Sequence, residues 1–98
     1  MDEPKGLKIE MSPDKAAGQY ANLAVITHGP NDFFIDMICV CPGPGQSKGI
    51  VQNRTVMTPE NAKQLLVALE ENIRKYEEVF GRISAKQPQI TITPKGQA

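Results

Sequence analysis

The sequence predicts an α+β domain, in which an antiparallel β-meander of three to five strands packs against one long C-terminal helix at residues 59–80. Two patterns predict this class. Apolar, β-branched segments alternate with Gly- and Pro-rich turns between residues 20 and 57, and an apolar helical stripe with clear end signals follows them. The chain has 98 residues, which is the size of one domain. We therefore expect a single α+β domain over residues 18–83.

Composition and charge exclude several classes of protein. Hydrophobic residues make up 40% of the chain and charged residues 22%, which is typical of a globular protein and not of a disordered one. No apolar run approaches the roughly 18 residues of a membrane-spanning helix. The opening MDEPKGLKIE lacks the apolar region of a secretory signal. These features predict a cytoplasmic protein with no membrane contact.

The two ends of the chain differ from the centre. Residues 1–17 are polar and interrupted by Pro and Gly, so they predict a flexible arm, with the alternating residues 7–11 as a candidate edge strand. Residues 84–98 contain bases and no acid, and they predict a basic tail with a candidate short strand at 90–93.

The central segments predict strands joined by two different connections. The strands are expected at residues 20–28, 33–41 and 48–57. Gly-Pro-Asn-Asp at 29–32 is a strong turn signal, while the loop at 42–47 is longer. Our hypothesis for the register is that the turn pairs His28 with Phe33. The first connection therefore predicts a hairpin with a defined register.

The register of the second hairpin predicts an ion pair. If Val40 pairs with Ile50, Asp36 falls opposite Arg54, and such a cross-strand pair stabilises a sheet. Both faces of the predicted sheet carry apolar residues, whereas a sheet with one wet face would alternate cleanly. One helix can cover only one face, so the other face is expected to meet a second subunit, and a homodimer is predicted.

The helix has the sharpest pattern in the chain. Thr58 is a candidate N-cap, Pro59 suits the first helical position and Gly81 suits the residue after the last turn. Apolar residues recur at alternating intervals of four and three. They are Ala62, Leu66, Leu69, Ile73, Tyr76 and Phe80, with Leu65 beside them. This stripe packs on the chain's own sheet, pairs with a second copy, or does both. A dimer interface on the stripe would comprise Leu66, Leu69, Ile73, Tyr76 and Phe80.

Residue types used in catalysis and metal binding are present but poorly placed. The thiols of Cys39 and Cys41 are expected to be reduced and partly buried. His28 is expected in an exposed turn, on the order of 20 Å from Cys39 along the hairpin, so the two cannot share a metal ion. Asp32 and Asp36 lie about 13 Å apart along one strand, too far for a carboxylate dyad. The sequence therefore predicts no enzyme activity, no cofactor and no metal site.

Nucleic-acid binding remains an alternative. The net charge is zero and the pI is about 6.6, which argues against a strong electrostatic footprint. Charge is nevertheless uneven, because residues 58–81 hold five acids and three bases while residues 82–98 hold three bases and no acid. The candidate contacts are Lys48, Arg54, Arg82 and Lys86.

Two groups of residues carry a resemblance to a known family. The first group is Gly18 to Ala24, Ile26, His28, Phe34 and Asp36. The second is Arg54, Thr58-Pro59-Glu60, Ala62-Lys63, Leu65-Leu66, Leu69, Asn72, Tyr76-Glu77, Phe80-Gly81 and Ile83. In these motifs the chain resembles a family of small bacterial proteins known only as a domain of unknown function. Met37 departs from the aromatic residue expected after Asp36, and the resemblance implies no reaction, cofactor or catalytic residue.

The architecture has a second, weaker likeness. Several antiparallel strands followed by one long helix resemble dimeric coactivator and Whirly-type proteins, whose sheets bind single-stranded DNA. A shared fold does not establish function. The leading prediction is a non-catalytic, homo-oligomeric protein-interaction module whose partner is a second copy of itself, with another protein as a further candidate. The alternative is a single-stranded nucleic-acid-binding protein.

Overall fold

The structure is a computed structural model that describes residues 6–84. Its elements in chain order are α1 (Pro13–Ala17), β1 (Leu23–His28), β2 (Phe33–Cys41), β3 (Lys48–Met57) and α2 (Pro59–Phe80). The α+β class, the antiparallel sheet and the long helix are confirmed. None of the helices in this part of the chain is long and apolar enough to cross a membrane.

The segment before the sheet differs from the prediction. Residues 7–11 form no strand, and the five-residue helix α1 follows them. The side chains of Leu7, Ile9 and Met11 are 52%, 52% and 68% exposed. Alternation without a neighbouring strand provides no ladder of hydrogen bonds, so it does not make a strand. The candidate strand at 90–93 lies outside the described residues.

The described strands form one three-stranded sheet in the order β1-β2-β3, with both pairs antiparallel. The first hairpin has the predicted register, with His28 opposite Phe33. A β-bulge interrupts the second hairpin, because Met37 pairs with Asn53 whereas Ile38 pairs with Val51. Gln52 is thus the extra residue on β3.

The predicted register of the second hairpin is correct on one side of the bulge and wrong on the other. On the side of the bulge that is remote from the 42–47 loop, Asp36 lies opposite Arg54, as expected. Beyond the bulge the ladder is displaced by one residue, so Val40 pairs with Gly49 and the predicted pairing with Ile50 is wrong. One unpaired residue is enough to displace every later pair.

Helix α2 begins and ends where its cap residues predict. The Thr58 hydroxyl accepts a hydrogen bond from the Asn61 amide at 3.2 Å, and Pro59 occupies the first turn. At the other end, Gly81 has a φ of 99° and its amide donates to the Glu77 carbonyl at 3.0 Å. A positive φ favours glycine, which has no Cβ.

Helix α2 covers less of the sheet than predicted. The helix leaves β3 after the single residue Thr58, and only its first half borders the sheet. Within residues 6–84, the only buried side chains are Ile35 and Asp36, with exposed fractions of 9% and 6%. No residue of α2 is buried. Among residues 6–84, the helix therefore does not close a core over the sheet.

Candidate functional site

An apolar groove lies between the sheet and the first half of α2. Its volume is about 420 Å³. The sheet contributes Ile26, Phe33 and Ile35, and the helix contributes Pro59, Ala62, Lys63, Leu65, Leu66 and Leu69. Ile26, Ile35 and Phe33 share one sheet face because Ile26 pairs with Ile35 and alternate residues of a strand point to the same side. Lys63 is the one charged residue of this lining.

The groove continues along α2 as an exposed apolar stripe, called here the helix seam. It contains all five predicted interface residues. Their exposed fractions are 53% for Leu66, 55% for Leu69, 39% for Ile73, 49% for Tyr76 and 72% for Phe80. The rings of Tyr76 and Phe80 lie 4.9 Å apart at the free end of the seam. Contiguous exposed apolar surface is a common feature of protein-interaction sites and of ligand-binding grooves.

Two ion pairs of α2 lie on the face of the helix away from the seam. Arg74 Nη1 donates to Glu78 Oε2 at 2.8 Å, and Lys75 Nζ lies 3.6 Å from Glu71 Oε1. All four side chains are more than half exposed. The helix therefore has one solvated face with ion pairs and one apolar face that no other element of residues 6–84 buries.

The opposite face of the sheet carries a different feature, an ion pair between β2 and β3. Arg54 Nε donates to Asp36 Oδ1 at 2.7 Å, and Arg54 Nη2 donates to Asp36 Oδ2 at 2.9 Å. The guanidinium also lies 5.3 Å from the centre of the Phe34 ring. These hydrogen bonds from Arg54 hold the pKa of the Asp36 carboxyl below its ordinary value, against the opposing effect of burial. Both acceptor oxygens of this buried carboxylate are therefore satisfied.

Comparison with models of known families finds one that matches most of the chain. Residues 1–85 match the family described as a protein of unknown function (DUF3467). The chain belongs to this family. Comparisons with curated proteins and with solved structures find no match. The family assignment covers both the sheet and α2, and it carries no reaction or ligand to the DUF3467 chain.

The structure separates two of the predicted nucleic-acid contacts of the DUF3467 chain, Lys48 and Arg54. Lys48 pairs with Cys41 and Arg54 pairs with Asp36. Cys41 and Asp36 are five residues apart on β2, so strand alternation places Lys48 and Arg54 on opposite faces of the sheet. Arg54 is engaged by Asp36, and Arg82 follows the end of α2. Lys86 lies outside the described residues.

The thiols of the DUF3467 chain lie on the groove side of the sheet, at the end of β2 remote from the groove. Cys39 Sγ and Cys41 Sγ are 4.0 Å apart, and both cysteines are free. Burial and the neighbouring Cys41 raise the pKa of the Cys39 thiol, and burial is the larger cause.

His28 is half-buried and stacks on Phe33 with a ring separation of 5.4 Å, so the expectation of an exposed turn histidine is wrong. Residues 6–84 contain no group of three or more His, Cys, Asp and Glu that could hold a metal ion.

Sequence reasoning missed two features of this DUF3467 chain. The Asn22 side chain extends the first hairpin, because its Oδ1 accepts from the Val40 amide at 2.8 Å and its Nδ2 donates to the Val40 carbonyl at 3.2 Å. The sequence signal for this contact is an Asn directly before a strand, because Asn side chains readily bond to backbone groups. The groove itself was also missed, since its lining depends on the angle at which α2 leaves β3, and no local pattern encodes that angle.

Proposed function

We propose that this protein is a non-catalytic, homo-oligomeric interaction module, in which a second copy of the chain covers the groove and the helix seam. One observation carries the proposal. Ile35 is the only buried apolar side chain among the described residues, while all five residues of the predicted interface are between 39% and 72% exposed.

Fully buried apolar side chains are scarce among residues 6–84. Ordering one residue costs about 1–2 kcal/mol of backbone conformational entropy. Full burial of a Leu, Ile or Phe side chain returns about 1.5–3 kcal/mol. The apolar side chains of the predicted interface are 39–72% exposed and return only part of that free energy, so a surface that covers them would add stability.

The helix pattern supports a second copy of the chain as the covering surface. The seam is an amphipathic helical stripe with the alternating four- and three-residue intervals of helices that pair with each other. Its opposite face is solvated and contains the Arg74–Glu78 and Lys75–Glu71 pairs. Pairing of two such helices buries the apolar faces and leaves the charged faces in water.

Light scattering on the intact chain, coupled to size-exclusion chromatography, tests this proposal. The chain mass is 10.7 kDa, and we expect a species of at least twice that mass at micromolar concentration. Circular dichroism over a dilution series should show helix content falling together with the assembled fraction. A folded, helical species with the mass of one chain would contradict the proposal.

The charge placement supports protein contact over nucleic-acid contact. Lys48 and Arg54 point to opposite faces, and Arg54 is neutralised by Asp36, so these two bases do not build one phosphate-binding patch. Titration with labelled single-stranded DNA at low salt is therefore expected to give no binding. Tight binding that weakens steeply with added salt would favour a nucleic-acid role instead.

A further inference from the structure

The seam has a gradient of side-chain size from one end of α2 to the other. Its N-terminal half contains the small Ala62 and the aliphatic Leu66, whereas its C-terminal half contains Tyr76 and Phe80. The groove lies beside the N-terminal half, where the lining leaves space between helix and sheet. Tyr76 and Phe80 do not line the groove, which lies beside the end of the helix with the smaller side chains.

From this gradient, and given that a second copy covers the seam, we infer that two α2 helices pair antiparallel about a twofold axis near Glu71, so that the partner's Tyr76 and the partner's Phe80 fill the groove.

Antiparallel pairing gives every layer of the interface one larger and one smaller side chain, or two of similar size. With the axis near Glu71, Ala62 meets the partner's Phe80, Leu66 meets the partner's Tyr76, and Leu69 meets the partner's Ile73. Parallel pairing would instead place the two copies of Phe80 against each other and leave the two copies of Ala62 facing across a gap. Uniform layer volume is the condition for close packing, and it favours the antiparallel arrangement.

Charge beside the seam favours the same arrangement. Lys63 and Glu77 flank the seam on the same side, at equivalent positions of the seven-residue pattern. In the antiparallel pair, Lys63 of each copy lies beside the partner's Glu77, which gives two ion pairs related by symmetry. Glu77 Oε2 already accepts from the Ile83 amide at 2.9 Å, and its other carboxylate oxygen remains an acceptor for Lys63.

The axis also determines which residues meet their own copies. Asn72 lies next to the axis, so the two copies of Asn72 are neighbours. Ala62 opposes the partner's Phe80, so the two copies of Ala62 are 18 residues apart along the helix axis, which is about 27 Å. In a parallel pair Ala62 would meet its own copy directly.

Single-cysteine cross-linking tests the register. In a chain with Cys39→Ser and Cys41→Ser, Asn72→Cys is expected to form a covalent dimer with a short bis-maleimide cross-linker. Ala62→Cys in the same background should remain uncross-linked, and it is the matched control because both positions lie on α2. Efficient coupling of Ala62→Cys would overturn the antiparallel register, as would failure of both variants to couple in a protein that scatters light as a dimer.

A charge reversal in the natural cysteine background gives a second test. Lys63→Glu places a carboxylate beside the partner's Glu77, and we expect it to weaken dimerisation about tenfold. Adding Glu77→Lys to that variant should restore the affinity, because both ion pairs are re-formed with reversed polarity. An unchanged dissociation constant in Lys63→Glu, or no restoration in the double variant, would contradict the pairing.

The two proposals fail in different ways. A chain that scatters light as a monomer removes the assembly itself. A dimer that couples through Ala62→Cys, or is unaffected by Lys63→Glu, leaves the assembly in place and removes only the antiparallel register.

Discussion

Strand β2 has both hydrogen-bonded neighbours and buried side chains within one chain, whereas helix α2 has its hydrogen bonds but no buried side chain. Strand β2 has hydrogen-bonded neighbours on both sides, and it contains Ile35 and Asp36, the buried residues of the described part. Helix α2 satisfies its own backbone and is capped at both ends, yet none of its residues is buried. Backbone satisfaction and side-chain burial are separate requirements. The sheet centre meets both within one chain, and the helix meets only the first.

The largest expected effect comes from a charge placed on the seam. Leu69 lines the groove and is 55% exposed. In the proposed dimer, Leu69→Lys buries an unpaired ammonium group at the centre of the interface, where substitutions often cost about 2 kcal/mol or more. We expect the dissociation constant to rise at least about 30-fold and the helix signal at micromolar concentration to fall.

Val67 provides a closely matched control. It lies two residues away on the same helix, is 56% exposed and stands outside the seam. Val67→Lys should therefore keep the mass and helix content of the unmodified chain, as measured by light scattering and circular dichroism. Equal loss in both variants would mean that the seam has no special role in assembly.

The ion pair beside the sheet centre predicts a dependence of stability on pH. The folded-state pKa of Asp36 is below its ordinary value of 3.8, because Arg54 donates to both carboxylate oxygens. The pair therefore stabilises the fold above pH 3.8, and this contribution is lost as the pH falls through that value and the lower folded-state pKa. The urea midpoint should fall over this range, and it should fall less in Asp36→Asn than in the unmodified chain.

The control for that measurement removes one carboxylate elsewhere. Glu10 is exposed in the segment before α1, so Glu10→Gln changes the net charge without touching the sheet. Its pH profile should follow that of the unmodified chain when protein concentration is held constant. If Asp36→Asn shows the same acid loss as Glu10→Gln, the Asp36–Arg54 pair is not the source of the dependence.

Sequence reasoning succeeded where the structure follows from neighbouring residues. The turn at 29–32 predicted the pairing of His28 with Phe33, and Thr58 and Gly81 marked the ends of α2. It failed at the bulge, because Gln52 carries no Gly or Pro signal that distinguishes an unpaired residue from a paired one. It also failed on how little of the sheet α2 covers. That packing depends on the direction of α2 after β3, which a periodic pattern does not contain.

The N-cap of α2 predicts a smaller effect than the seam. The Thr58 hydroxyl accepts from the Asn61 amide at 3.2 Å, and Thr58→Ala leaves that amide without its partner. We expect a loss of about 1 kcal/mol in the free energy of unfolding, measured by urea titration. Thr58→Ser keeps the hydroxyl and should restore most of the stability, whereas equal losses in both variants would point to the missing methyl group instead.

The solvated face of α2 predicts the smallest effect. Arg74 and Glu78 are 60% and 63% exposed and lie four residues apart, so their 2.8 Å ion pair is screened by water and salt. Arg74→Gln should lower the free energy of unfolding by less than about 0.5 kcal/mol and leave the dimer mass unchanged. The difference should shrink further in high salt. A loss comparable to that of Leu69→Lys would place Arg74 inside an interface, so the contrast between the apolar and the charged faces of the helix would have to be abandoned.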